Sequence, residues 1–209
     1  MTALTAWHDL VVPEIRGVTP EASLYEIRRI AIEFCEQSQA IDTQLAAINV
    51  VASQSTYTLT PPADTLIVDV HRVEYNGKVL TPSSQADLDR AFDKWRTETG
   101  VPKYWYLETR TTLRLAKTPA DTLTAGLVVT VATKPTDTAA TVDDRLWTDH
   151  VESIKIGTLG RLLMMEDKPW SNPQKAALYQ SQFVSRINAA AVHRDGLTRR
   201  IPLRTRVHR

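Results

Sequence analysis

Cysteine is almost missing from this chain. Cys35 stands alone, which excludes an internal disulfide and a cysteine-based zinc site and is compatible with a reducing compartment. Net charge is nearly missing too: +1 over 209 residues gives no overall field toward nucleic acid or acidic partners. No apolar run approaches the ~18 residues of a membrane span. The first residues, Met1 to Asp9, lack the basic start and long apolar run of a signal peptide, so the expectation is a protein made in a cytosol. Internal repeats and low-complexity tracts are absent as well.

Catalytic patterns are also missing. The five histidines (His8, His71, His150, His193, His208) fall in five different segments, with no i,i+4 pair and no H-E-x-x-H. Asp149, His150 and Glu152 offer the one local metal-like grouping, and a solvated, acid-bearing helix start explains them better. There is no G-x-S-x-G elbow and no S-x-x-K, and Gly157-Thr158-Leu159-Gly160 lacks the G-K-[ST] of a phosphate loop. Trp95, Tyr104, Trp105 and Tyr106 admit two readings, a stacking platform for single-stranded nucleic acid or strand core. Core is favoured, because basic residues do not interleave densely there. No enzyme, no cofactor and no metal are expected.

What is present is ordinary for a globular chain: 43% hydrophobic and 23% charged residues, enough to bury a core. Residues 1–19 read as a short lead carrying Trp7, Leu10 and Val11 as docking side chains. Thr19-Pro20-Glu21 opens a helix with threonine as cap and proline at the first position. Leu24, Ile27, Ala31, Phe34 and Cys35 form its apolar stripe, with Glu26, Arg29, Glu33 and Glu36 on the other side. In that stripe Cys35 reads as a small buried hydrophobe.

From Leu45 to Val142 the repeat becomes two, and threonine, valine and proline rise. Thr56–Leu59, Leu66–Tyr75, Lys78–Leu80, Tyr104–Leu107, Thr112–Leu115 and Leu127–Val131 read as strands, with Asn76-Gly77 as a type I′ hairpin turn. Pro82-Ser83-Ser84 begins a short helix with Leu88, Phe92 and Trp95 inward and Gly100 as its stop. Pro119 and Gly126 bracket a turn region. The spacing predicts an antiparallel module of five or six strands around Leu66, Val68, Val70, Val73, Leu113, Leu115, Val129 and Val131.

Asp143 onward holds two helical patterns. Val151, Ile154, Leu159, Leu162 and Met165 make one face across Trp147–Glu166, in which Gly157 and Gly160 cost roughly 1 kcal/mol each relative to alanine and so suggest a close backbone approach. Pro169 stops that helix, Asn172-Pro173 restarts the chain, and Ala176, Tyr179, Phe183, Ile187 and Ala190 line the second helix up to Gly196. A basic arm follows. Six arginines and one aspartate from Arg194 to Arg209 give a local +5, leaving −4 for the rest. The fold class expected is α+β: a helical core (N-terminal helix plus C-terminal hairpin) with an inserted antiparallel β module. The divisions are 1–44, 45–142, 143–196 and 197–209.

In Tyr57-Thr58-Leu59-Thr60-Pro61, in Val70 through Gly77, in Gly100-Val101-Pro102-Lys103-Tyr104-Trp105-Tyr106, in Leu113 through Pro119, and in the hairpin around Leu159–Met165 and Phe183, the chain resembles the head–tail adaptor (neck, or connector) proteins of tailed bacteriophages. The likeness runs from Pro20 to Gly196. It implies a structural virion protein, made in a bacterial host and resident at the head–tail junction. Its partners would be a homo-oligomeric ring, usually of twelve, the portal protein above and a downstream neck or tail protein below, with no membrane contact. It also implies a C-terminal extension reaching into the portal or a neighbouring subunit. The arm departs from that pattern in being basic and carrying Ile201-Pro202-Leu203.

Leu197, Arg199, Arg200, Ile201, Leu203, Arg204, Arg206 and Arg209 are the expected partner-binding residues, with apolar side chains entering a groove and arginines meeting carboxylates. Gly157 and Gly160 are the expected oligomer-packing residues. Two other functions stay open at this level. One is a nucleic-acid-binding module acting through the arginine arm, or a passing contact with packaged DNA. The other is a small hydrolase with an unrecognised site.

Overall fold

The computed structural model describes residues 1–198. In chain order the elements are β1 (Thr2–Ala3), α1 (Thr5–Val11), a 3-10 turn (Val12–Glu14), α2 (Pro20–Ser38), β2 (Asp42–Gln44), β3 (Ile48–Val50), β4 (Thr56–Thr58) and β5 (Thr65–Tyr75). Then come β6 (Lys78–Val79), β7 (Thr81–Pro82), α3 (Gln85–Ala91), β8 (Tyr104–Thr109), β9 (Thr112–Ala116), β10 (Leu123–Pro135), β11 (Thr141–Val142), α4 (Asp144–Leu163) and α5 (Pro173–Thr198). The chain is α+β and, among the described residues, forms two compact units: a helical one from residues 1–40 and 140–198, and a β-rich one, Ile41–Ala139.

In the helical unit the local signals act as their chemistry requires. Thr19 Oγ1 accepts the Ala22 N–H at 3.4 Å, Pro20 begins α2, and Gln39 ends it in the left-handed region at φ 49°. Ile27, Ile30, Ala31, Phe34 and Cys35 are buried, each large side chain contributing about 2 kcal/mol relative to exposure. Glu26, expected on the solvent side, is instead 6% exposed, for a reason given below. The lead is not loose: α1 buries Trp7 and Val11, while Leu10 is half-buried. The Trp7 indole meets Trp147 edge-on at 4.9 Å and donates to the Val151 carbonyl at 3.4 Å.

Asp143 caps α4 by accepting the Arg145 N–H at 2.9 Å, so this helix begins three residues before Trp147. It ends at Leu163, where the Trp170 indole donates to the Leu162 carbonyl (3.1 Å) and the Asn172 N–H to that of Leu163 (2.9 Å). Asn172 Oδ1 in turn accepts the Lys175 N–H at 3.0 Å and opens α5 with Pro173 at its first position. Ala176, Phe183, Ile187 and Ala190 are buried as the spacing requires. Gly196 does not stop α5, which runs to Thr198; one glycine costs about 1 kcal/mol, which a 26-residue helix absorbs.

The β-rich unit is built on β10, whose 13 residues pair with β5 on one side and with β2 and β3 on the other. The strand begins at Leu123 and runs through Gly126, so the expected turn there is an irregular stretch within a strand. A Cβ on Gly126 would lie 2.6 Å from that of Leu123, which explains the glycine. A second sheet has the order β4-β9-β8-β7, and its β7–β8 pair is parallel, so the module is not wholly antiparallel.

The expected core facing of β5 needs correction. Leu66 is 48% exposed and Val68 half-buried, while Ile67, Val70, Val73 and Tyr75 are buried. Val131 pairs with Val70 directly after Thr130 pairs with Arg72, and Thr133 pairs with Ile67 directly after Ala132 pairs with Asp69. His71 and Val68 are therefore extra residues in two β-bulges, and each bulge shifts the alternation by one position.

Helix α3 also ends early, at Ala91 rather than near Gly100. Asp89 accepts the Trp95 indole N–H at 2.8 Å and pairs with Arg96, whose guanidinium lies 4.4 Å over the Trp95 ring. That carboxylate folds residues 93–96 back. Trp95 is buried by a turn, and Phe92 is left 39% exposed.

Asn76 and Gly77 sit at φ 46° and 73° between the paired Tyr75 and Lys78, as a type I′ turn demands. No atom lies within 4 Å of a Cβ added at Gly77, so backbone strain alone governs substitution there. Gly77→Val should destabilise the β-rich unit by about 2 kcal/mol, read as a lower thermal midpoint. Gly77→Asn should cost well under 1 kcal/mol, because asparagine tolerates the left-handed region.

Candidate interaction surfaces

Side chains able to do chemistry do not converge on one site among the described residues. Among the described residues no group of three His, Cys, Asp or Glu could hold a metal ion. Asp149 and Glu152 face outward, whereas His150 turns inward at a kink in α4 (φ −130°, ψ 15°) and packs on Phe34 with centroids 4.8 Å apart. Cys35 is 1% exposed in the α2 stripe.

A pair that the sequence does not reveal is His8 Nδ1 and Ser23 Oγ, 2.5 Å apart. The Ser23 hydroxyl donates to the Pro20 carbonyl at 2.9 Å and is fully buried, so its proton is committed and no substrate reaches it. The pair ties α1 to the first turn of α2. The aromatic platform does not form either. Trp95, Trp105 and Tyr106 are core residues, and only Tyr104 is partly exposed, beside Phe92 and Lys103 in a cleft of about 190 Å³.

Burial holds the His150 imidazole below the ordinary histidine range, and His193 nearby acts in the same direction against the opposing pull of Asp149. The unfolded chain therefore binds this proton more readily than the folded one. Stability from neutral His150 is complete above about pH 6.5 and is lost as pH falls through that value. The thermal midpoint of the helical unit should drop between pH 7 and pH 5, and His150→Phe should flatten that slope.

The packed centre of the helical unit is where the notable geometry lies. A Cβ added at Gly157 would fall 2.8 Å from Ile30 Cγ2 and 2.9 Å from Phe183 Cδ2, so α2, α4 and α5 meet over this glycine. At Gly160 the nearest atoms are Gln180 Cγ at 3.3 Å and the Gln180 backbone N at 3.4 Å, a looser fit. Both glycines are buried within the subunit; the close backbone approach expected of them is found at Gly160, against the Gln180 backbone, whereas Gly157 meets side chains of α2 and α5.

Beside them Arg161 reaches Glu26 (Nη1 to Oε2, 3.5 Å) and donates through Nη2 to Glu33. This is why Glu26 tolerates burial. Its spacing of seven from Glu33, which places both carboxylates on one side of α2, was the only available sequence signal. Arg194 donates to the Ser38 carbonyl (3.3 Å) and to Gln39 Oε1 (2.7 Å), fastening α5 to the end of α2.

The outward side of α5 is left uncovered: Leu178, Val184 and Val192 are 56%, 53% and 71% exposed. Of the expected arm residues, Leu197 lies in the last turn of α5. Arg199, Arg200, Ile201, Leu203, Arg204, Arg206 and Arg209 lie outside the described residues. Among the described residues no helix is long and apolar enough to cross a membrane.

A search of curated proteins finds no match. The family model described as SU10 adaptor protein matches residues 21–206, a span that takes in the whole β-rich unit and α2, α4 and α5. That match covers far more than half of the chain, and the chain therefore belongs to the SU10 adaptor protein family, a family of phage head–tail adaptors.

Proposed function

We propose that this protein is a structural virion protein, a ring subunit that docks to the portal vertex and joins the DNA-filled head to the tail without catalysis. The observation that carries this reading is the family match across residues 21–206. The helical core with an inserted β module is the adaptor layout, divided at 1–44, 45–142, 143–196 and 197–209. Twelve copies close the ring, with the portal protein on one side and a neck or tail protein on the other.

Gly157 and Gly160 serve assembly indirectly, by fixing the spacing of the helices whose outer faces meet neighbours. The arm, from Leu197 through Arg199, Arg200, Ile201, Leu203, Arg204 and Arg206 to Arg209, is the tether. Its apolar residues enter a groove while its arginine forks pair with carboxylates of the portal or an adjacent subunit. Each exposed pair contributes under ~1 kcal/mol, so several act together.

Deleting residues 198–209 should leave the thermal midpoint nearly unchanged and abolish attachment to portal-bearing heads. Wild-type yield of infectious particles from the truncated protein would remove the arm from this role. Five arginines in those twelve residues also support a second reading, a nucleic-acid-binding arm. That reading requires the purified protein to bind DNA with an affinity that falls steeply with salt, and the tether reading does not.

A further inference from the structure

We propose that a cleft on the outer face of the second sheet takes one aromatic side chain from an acidic peptide segment of another protein. The proposal does not rest on the ring reading. The cleft, of about 190 Å³, lies within the β-rich unit and is lined by Phe92, Trp95, Lys103, Tyr104, Ala116 and Lys117. Drug-sized ligands ordinarily occupy about 300–1,000 Å³, so a space this small fits a single side chain.

Three aromatic rings wall the cleft, and the chain enforces their arrangement. Asp89 holds both the Trp95 indole and Arg96, and that fold-back leaves Phe92 exposed against Tyr104, with ring centroids 5.7 Å apart and planes tilted by 40°. The Lys117 N–H donates to the Trp95 carbonyl at 3.2 Å and ties the two walls together. Lys117 is held there at φ 77°, a left-handed conformation uncommon for lysine, and such outliers gather at binding sites. A preformed space walled by rings favours a further ring in offset or edge-on contact. Apolar surface continues past the rim. Val79 is 56% exposed and alternates with buried Leu80, so it shares a sheet face with Thr81, which pairs with Tyr104. That extension suits a peptide segment better than a free small molecule.

No carboxylate lines the cleft. Of those nearby, Asp89 is committed to Trp95 and Arg96, Glu108 to Arg114 at 2.8 Å, and Glu98 to Lys117 at 2.7 Å. Asp93 is exposed next to Phe92 but stands outside the lining. Glu98 offsets Lys117, so among the described residues Lys103, exposed at the rim, is the lining cation left to meet an incoming carboxylate. A single-stranded nucleic acid would need successive rings along a cationic groove, whereas this cleft holds one ring beside one available cation.

Saturation-transfer difference NMR on the full chain tests this with acetyl-Phe-Asp-amide, acetyl-Phe-Lys-amide and thymidine monophosphate as probes. The phenyl protons of the aspartate peptide should take up the most saturation, and that peptide should bind about fivefold more tightly than the lysine peptide. Phe92→Ser should abolish the phenyl signal, and Lys103→Glu should invert the preference between the two peptides. Should Phe92→Ser lose the parent's circular dichroism spectrum, the inversion by Lys103→Glu decides alone. Equal binding of the two peptides, a phenyl signal that survives in folded Phe92→Ser, or tighter binding of thymidine monophosphate would overturn the proposal. Native mass spectrometry of the same samples reads the ring separately. Rings that bind no peptide defeat the cleft alone, and a peptide-binding chain that stays monomeric defeats the ring alone.

Discussion

Gly157→Leu is expected to unfold the helical unit at markedly lower temperature, with a loss of roughly 3 kcal/mol. Alanine already tests the direction. Its Cβ would stand 2.8 Å from Ile30 Cγ2 and 2.9 Å from the Phe183 ring, both held in a packed centre where Phe183 also neighbours Phe34 at 6.4 Å. Replacing glycine inside a helix gains about 1 kcal/mol of propensity, and overfilling a close-packed core costs about 1–3 kcal/mol. The clash wins at Gly157, more so with each added carbon. At Gly160 the nearest contacts are 3.3–3.4 Å, so Gly160→Ala should stay within about 1 kcal/mol of the parent. Thermal melts of the three variants followed by circular dichroism decide the point. Equal stability of Gly157→Leu and the parent would mean that the three helices do not meet over this glycine.

Arg161→Met carries the second large effect. Glu26 is 6% exposed, and without Arg161 its nearest cation is Arg29 at 4.0 Å. Leaving a buried carboxylate without its partner costs about 3 kcal/mol, whereas replacing both members by apolar side chains of similar volume is often neutral. Arg161→Met alone should therefore be strongly destabilising, and the double change with Glu26→Met should recover most of the loss. A double variant no better than the single one would show that Arg161 acts through Glu33 or through packing, and that the Glu26 pairing contributes little.

Features set by neighbours in sequence were legible before the structure. Thr19 and Asn172 cap helices, Pro20 and Pro173 start them, and Asn76-Gly77 turns the hairpin, because each acts within four residues of itself. The buried stripes of α2 and α5 were readable for the same reason. Features set by distant partners were not. Leu66 and Val68 were misassigned because the bulges at Val68 and His71 exist only in the pairing of β5 with β10, some sixty residues later. Glu26 looked solvent-facing because its partner lies 135 residues away on α4. The early end of α3 depends on Asp89 gathering Trp95 and Arg96, a side-chain arrangement that periodicity does not register.

The surfaces followed the same division. The glycines flagged tight packing, yet nothing local distinguished the side chains met at Gly157 from the backbone met at Gly160, or contact inside a subunit from contact between subunits. The buried stripe of α5 was legible from its spacing, but that Leu178, Val184 and Val192 on the other side stay exposed depends on which neighbouring elements cover the helix, and periodicity does not register that.

Electron cryo-microscopy of intact virions, with density assigned from the helical and β-rich units of this chain, tests its role as an adaptor most directly. The predicted result is a single ring of twelve copies between the portal and the first tail component. Virions that lack the protein, or that carry it anywhere other than the head–tail junction, would contradict that role.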